Sequence, residues 1–164
     1  MEDREKRTYE FLDSIGVKYD KYEHEAIMTI DAARELDEKM GLEICKNLFL
    51  STRHSTEFYL LLMTGSKKFN TGKVSKQINV PRMTFASDNY MLEFLDIHPG
   101  SVSPLGLMND KDNRVGLLID EDVLNMEKIA IHPCVNTATL VIRTEDLINK
   151  ILPACHHDYT KVIV

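Results

Sequence analysis

Residues 57–65, EFYLLLMTG, constrain this chain most. A strand with one wet face alternates apolar and polar residues, and this run does not. It predicts a strand covered on both faces, at the centre of a sheet. The stretch before it, EICKNLFLST at 43–52, reads as a neighbouring strand, and STRHST between them as a hairpin connection.

The other elements do not alternate strand and helix regularly. Tyr9, Leu12 and Ile15 predict a helix over 3–15, ended by Gly16. VKYDKYEH (17–24) reads as a short strand. Thr29 is placed to cap a second helix, with Asp31 in its first turn and Gly41 at its close. A short helix over about 71–79 stops at Pro81. Ser87 caps DNYMLEFLDI, which Pro99-Gly100 breaks. SVSPLGLMND (101–110) reads as an irregular extended strand, NRVGLLID as a clean strand and EDVLNME as a helical turn. KIAIHP and TATLVIR are strands, Thr144 caps the helix EDLINKIL, and YTKVIV is a last strand. This order predicts one α+β domain over residues 1–164, with a mixed or antiparallel sheet.

Several function classes drop out. No apolar run reaches the roughly 18–20 residues of a membrane span, and the charged first segment lacks the apolar centre of a secretory signal. The cytoplasm is the expected location. Cys45, Cys134 and Cys155 are odd in number and widely spaced, which argues against a disulfide framework or a structural zinc site. Cys155-His156-His157 reads as a polar turn, with metal binding as the rarer alternative. Net charge is −6, against a general nucleic-acid binder, and no recognition helix for DNA stands out. The charge is uneven, however. No acidic residue falls between Glu57 and Asp88, and that stretch carries Lys67, Lys68, Lys73, Lys76 and Arg82. It is either a solvated face or a landing site for phosphates.

No P-loop, GxSxG, HExxH or GxGxxG is present. Three unusual stretches remain. In CKNLFL, Lys46 and Asn47 interrupt an apolar strand. Lys46 either lies on the exposed face or stands at a cleft mouth, ready for a phosphate or carbonyl oxygen. In HPGSVSPLGLMND, Gly100 and Gly106 allow close backbone approach, either as a bulged edge or as N–H groups aimed at a developing oxyanion. In IHPCVNTATL, His132 is a proton shuttle, a hydrogen-bonding group or a core histidine.

Together, CKNLFL, GSVSPLGLMND and HPCVNTATL resemble the freestanding prolyl-tRNA editing proteins of the YbaK/prolyl-tRNA synthetase-associated domain family. The early HEAIMTIDAA fits the same resemblance, which spans nearly the whole chain. It implies a strongly curved mixed β-sheet flanked by helices. It also implies a metal-independent, cofactor-free hydrolase that cleaves the aminoacyl ester of mischarged tRNA(Pro), with prolyl-tRNA synthetase as a further partner. Asn109-Asp110 and the later HPCVNTATL resemble the alanine-directed branch, while Leu105 stands where the family usually has an aromatic residue. A cysteine-directed deacylase and a non-catalytic module binding tRNA or a synthetase are the alternatives.

Carried over by position, the resemblance makes Lys46 and His132 catalytic, and Asn47, Gly100, Ser103 and Pro104 substrate-binding. Ile27, Met28 and Ile30 are expected to wall a small apolar pocket. Such a pocket acts as a second sieve, because a site fitted to proline cannot reject the smaller alanine by size. Lys67, Lys68, Lys73 and Lys76 are the expected tRNA contacts.

Overall fold

The computed structural model describes residues 1–164. The apolar run becomes strand β3 (Phe58–Met63), and its lack of alternation has the expected cause. Phe58, Leu60 and Leu62 enter the largest core cluster, while Leu61 and Met63 enter a second cluster on the opposite face. β3 pairs antiparallel with β2 (Lys46–Ser51) and parallel with β5 (Val115–Asp120). β4 (Thr84–Phe85) and β8 (Tyr159–Val162) complete a five-stranded mixed sheet of order β4-β2-β3-β5-β8. A second, antiparallel sheet has the order β1-β7-β6, from β1 (Asp20–Glu23), β7 (Ala138–Arg143) and β6 (Lys128–Ile131). The two sheets meet at a single parallel bridge, Ile44 to Ala130, backed by the Cys45 N–H donating to the Ala130 carbonyl at 3.1 Å.

Helices cover both faces, so the chain is an α+β domain. On the large-core side lie α1 (Asp3–Ser14), α4 (Asp88–Leu95) and the C-terminal helix, through Leu12, Phe94, Leu95, Leu147 and Ile151. On the other side, α2 (Ile30–Met40) packs Leu36 and Met40 onto Ala130 and Val141 of the small sheet. α3 (Thr71–Gln77) packs Val74 among Leu50, Leu61 and Met63 of the large one. Thr29 caps α2 by accepting the Ala32 N–H, and Gly41 closes it at φ 72°. No helix is long and apolar enough to cross a membrane.

Three local expectations are corrected. SVSPLGLMND is not an extended strand, because Pro104–Asn109 forms a 3-10 helix. Pro104 presets the first turn, the Ser103 hydroxyl accepts the Leu105 N–H, and a Cβ on Gly106 would lie 2.6 Å from Ile97 Cδ1. Gly106 is therefore a packing glycine, and its N–H is spent on the Ser103 carbonyl. α4 ends at Asp96, left-handed at φ 53°, before Pro99 is reached. Thr144 is not a cap: its hydroxyl donates to the Met126 carbonyl. It opens α6 (Thr144–Asp146), which runs through a π-helical stretch (Leu147–Ile151) into α7 (Leu152–Ala154). Pro153 has no N–H to continue an ordinary ladder there. α5 (Glu121–Leu124) follows β5 directly.

Candidate functional site

The bridge between the sheets fixes the site. Side chains two apart on a strand share a face. Lys46 therefore lies between Ile44, packed in the cluster under α2, and Leu48, packed in the cluster under α3. It stands in the seam between the two helices. His132 is two residues beyond Ala130, the bridge partner of Ile44, and so leaves the junction on that same face. By this strand geometry, residues 86 positions apart in sequence leave the junction on one face.

Lys46 is exposed, and its Nζ donates to the Lys67 carbonyl at 2.7 Å. An ammonium has three N–H groups, so two remain free. His132 is largely buried. Its Nδ1 is 2.9 Å from the Ala138 carbonyl, which can only accept, so Nδ1 carries the proton and Nε2 is left as an acceptor. Burial pushes its pKa below the ordinary 6.5 and outweighs the upward pull of the Ala138 bond; neighbouring His24 lowers it further.

His24 is the site residue that sequence reasoning passes over. Its ring centroid is 6.3 Å from that of His132. Its Nδ1 is 2.8 Å from the Glu25 carbonyl and its Nε2 2.8 Å from the hydroxyl of Thr139, which is wholly buried. The only local signal was HEAIMTI itself, a histidine at the end of a strand pattern.

The remaining expected residues divide. Gly100, at φ 89°, faces Asn136 in the β6–β7 connection, where a Cβ would come within 3.6 Å of Nδ2. Ser103 and Pro104 are buried, Ser103 completely, and the Ser103 carbonyl accepts the Gly106 N–H, so both shape the loop from within. Strand alternation turns Asn47 to the opposite face from Lys46, and its Oδ1 is buried with no partner. Ile27 packs near Leu36 and borders a groove of about 460 Å³ that also takes in Tyr22, His24, Met28 and Thr29. Met28 and Ile30 do not wall an enclosed apolar pocket: they are 86% and 79% exposed, because α2 starts at Ile30 with its apolar stripe set by Leu36 and Met40. Leu105 is a core residue.

Lys68, Lys73, Lys76 and Arg82 are exposed, whereas the Lys67 ammonium lies 3.0 Å from Asp120 and 2.6 Å from Asp122. In the Cys155-His156-His157 turn, His157 bonds the Asp110 carboxylate at 2.9 Å and the Cys155 carbonyl at 2.7 Å. Burial pushes the Cys155 thiol up to about 11. Asp110 also accepts the Arg114 and Val115 N–H groups, so this pair fastens the 3-10 helix to β5 and the C-terminal turn.

The family model of the aminoacyl-tRNA editing domain matches residues 24–150, a span that opens on His24 and includes Lys46, Gly100 and His132. The chain belongs to the aminoacyl-tRNA editing domain family. This editing domain is 30% identical over 136 residues to the prolyl-tRNA editing protein ProX of Acetoanaerobium sticklandii, covering 83% of each chain. It is 26% identical over 148 residues to prolyl-tRNA synthetase associated domain-containing protein 1 of Danio rerio, covering 89% of this chain and 80% of that protein. Among solved structures, a protein described as a candidate trans-editing enzyme for prolyl tRNA synthetase superposes with a TM-score of 0.72 at 16% identity, covering 100% of this chain and 99% of the other.

Proposed function

We propose that this editing domain is a trans-acting deacylase that hydrolyses the ester of mischarged tRNA(Pro), with alanyl-tRNA(Pro) as its preferred substrate. The observation that carries the reading is the seam: a lysine with two free N–H groups and a neutral histidine with a free Nε2 on one face. The kinship with ProX supports the tRNA(Pro) assignment. A stretch of the proline–tRNA ligase of Limosilactobacillus fermentum is also 30% identical over 109 residues, about 18% of that ligase. Prolyl-tRNA synthetase is the enzyme that would generate the substrate, and the cytoplasm is where both would meet it.

In the proposed reaction, water adds to the ester carbonyl carbon, and the carbon–oxygen bond to the ribose then breaks. Of the water's two protons, one goes to the ribose oxygen and the other to solvent, and the amino acid leaves as a carboxylate. Lys46 holds the carbonyl or the terminal phosphate through its free N–H groups, fixing the ester for attack. His132 accepts a hydrogen bond at Nε2 from the water or the ribose hydroxyl. It has no carboxylate partner, so it orients the attacking group rather than driving proton transfer. No step is routed through a metal. The preference for alanine rests on the resemblance at Asn109-Asp110. These residues act through the loop, because Asn109 bonds the Leu95 carbonyl and Asp110 the start of β5.

The test is deacylation of alanyl- and cysteinyl-tRNA(Pro) side by side. Alanyl-tRNA(Pro) should be cleaved faster, Lys46→Ala should reduce cleavage to the spontaneous rate with an unchanged melting temperature, and EDTA should have no effect. Faster cleavage of the cysteinyl ester would reassign the substrate. EDTA-sensitive activity would overturn the metal-free chemistry. Binding of tRNA(Pro) with no cleavage of either ester would make the domain a binding module.

A further inference from the structure

Asp120 is the last residue of β5 and is wholly buried. A carboxylate in that position must be matched by donors. It has three: the Asp122 N–H at 3.1 Å, the Lys67 ammonium at 3.0 Å and the Thr64 N–H at 3.4 Å. Two of these belong to the turn between β3 and α3. The same turn is pressed from its other side, where a Cβ on Gly65 would lie 2.5 Å from the Ile44 carbonyl oxygen and 2.6 Å from Glu43 Oε1. Residues 64–67 are thus clamped between the start of α5 and the segment that leads into Lys46. The Lys67 carbonyl emerges from this clamp against Lys46 Nζ at 2.7 Å.

We propose that Lys67 is a positioning residue of the editing site: its ammonium anchors the turn to Asp120 and Asp122, and its carbonyl holds the Lys46 ammonium in the seam. This rests on the deacylase reading above and reassigns Lys67 from tRNA contact. A phosphate approaching Lys67 would meet the two carboxylates that already hold it. Those carboxylates also raise the Lys67 pKa, Asp122 first. Lys46 itself carries no ion pair, and a four-carbon stem at an exposed strand end samples many rotamers unless something fixes its head. The Lys67 carbonyl is what does so here.

The test compares Lys67→Met, Lys67→Arg, Asp120→Asn and Asp122→Asn with the wild-type chain. On aminoacyl-tRNA(Pro), Lys67→Met and Asp120→Asn should lower kcat by roughly tenfold to a hundredfold, as misplacement of a site group does, with KM and salt dependence unchanged. Lys67→Arg should restore most of the loss. Asp122 is exposed, so Asp122→Asn spares the core and should give a smaller loss of the same kind. A phosphate contact gives the opposite split, with KM raised, kcat unchanged and a log–log salt slope shallower by about 1. That result would overturn the proposal.

A second arm needs no substrate. In the free protein, Asp120→Asn should speed amide hydrogen exchange at Thr64 and Lys67, the bonded amides of the turn, about tenfold or more, as loss of a local closing interaction does, and broaden the Lys46 ammonium NMR signal. Unchanged exchange and an unchanged Lys46 signal would overturn the clamp even if the wild-type chain deacylates as expected. A chain that does not deacylate, yet shows both changes, would sink the reaction and leave the clamp standing.

Discussion

At the scale of single residues, the site is a matter of which proton each ring nitrogen carries. Lys46 and His132 draw attention in the sequence because a lysine inside an apolar strand and a histidine before a proline are both unusual, and their proposed roles come from the resemblance. His24 was not, because its partner Thr139 lies 115 residues away and only the pairing of β1 with β7 joins them. The state of His132 was not legible either, since burial and the Ala138 bond are tertiary facts. They carry a consequence for pH. An unfolded histidine gains its proton as pH falls through about 6.5. The native ring, held below that value chiefly by burial, stays neutral to a lower pH. Between the two values the unfolded chain binds more protons, so native stability falls as pH falls, and above that window His132 contributes nothing. Urea unfolding at pH 7.5 and 5.5 should therefore cost wild type more stability than it costs His132→Gln. Equal losses would mean that the native ring titrates normally.

At the scale of elements, most signals local to the chain held, but the two hydroxyl caps read at Ser87 and Thr144 did not: Ser87 precedes α4 without a side-chain cap bond, and the Thr144 hydroxyl goes to Met126. β3 was legible from six residues, and the Thr29 cap and Gly41 stop of α2 from their types and spacing. The segment 101–110 was misread because proline, glycine and serine suit a bulged strand and a 3-10 turn equally well. What decides is Gly106 against Ile97 and Leu95, a contact no periodicity reveals. Gly65 is the same kind of residue with a larger consequence. Its neighbour is a backbone carbonyl, which cannot swing aside as the tip of Ile97 can. Gly65→Ala should destabilise by about 1–3 kcal/mol, the usual range for overpacking, and should lower deacylation with it, because the displaced turn carries Lys67. Gly72→Ala is the matched control: in α3 the added Cβ would meet only Asn70 Oδ1, at 3.5 Å, and alanine favours a helix by about 0.5–1 kcal/mol. Thermal unfolding of the two variants should shift in opposite directions. A harmless Gly65→Ala would show that the turn gives way without cost.

At the scale of the whole molecule, the difficulty is charge. A chain of net charge −6 should repel tRNA at long range, yet its proposed substrate is a polyanion. The fold answers by segregation. Lys73 and Lys76 lie on α3, the helix that borders the seam holding Lys46, with Lys68 and Arg82 exposed just before and after it. Salt separates the two influences because it screens both. If the band on α3 dominates, contacts with phosphates release counterions and affinity falls as salt rises, by about 0.7 to 0.9 of a log unit per contact for each tenfold in salt. If the net charge dominates, added salt relieves repulsion and affinity rises. Binding of uncharged tRNA(Pro), which carries no ester to cleave, should fall across a salt titration. Replacing Lys73 and Lys76 together by glutamine should flatten that slope by about 1.4 to 1.8, the share of two lost phosphate contacts, while kcat at saturating substrate stays as it was. A slope untouched by the double substitution would put the tRNA on another face, and the acid-free stretch would then be no more than a solvated surface.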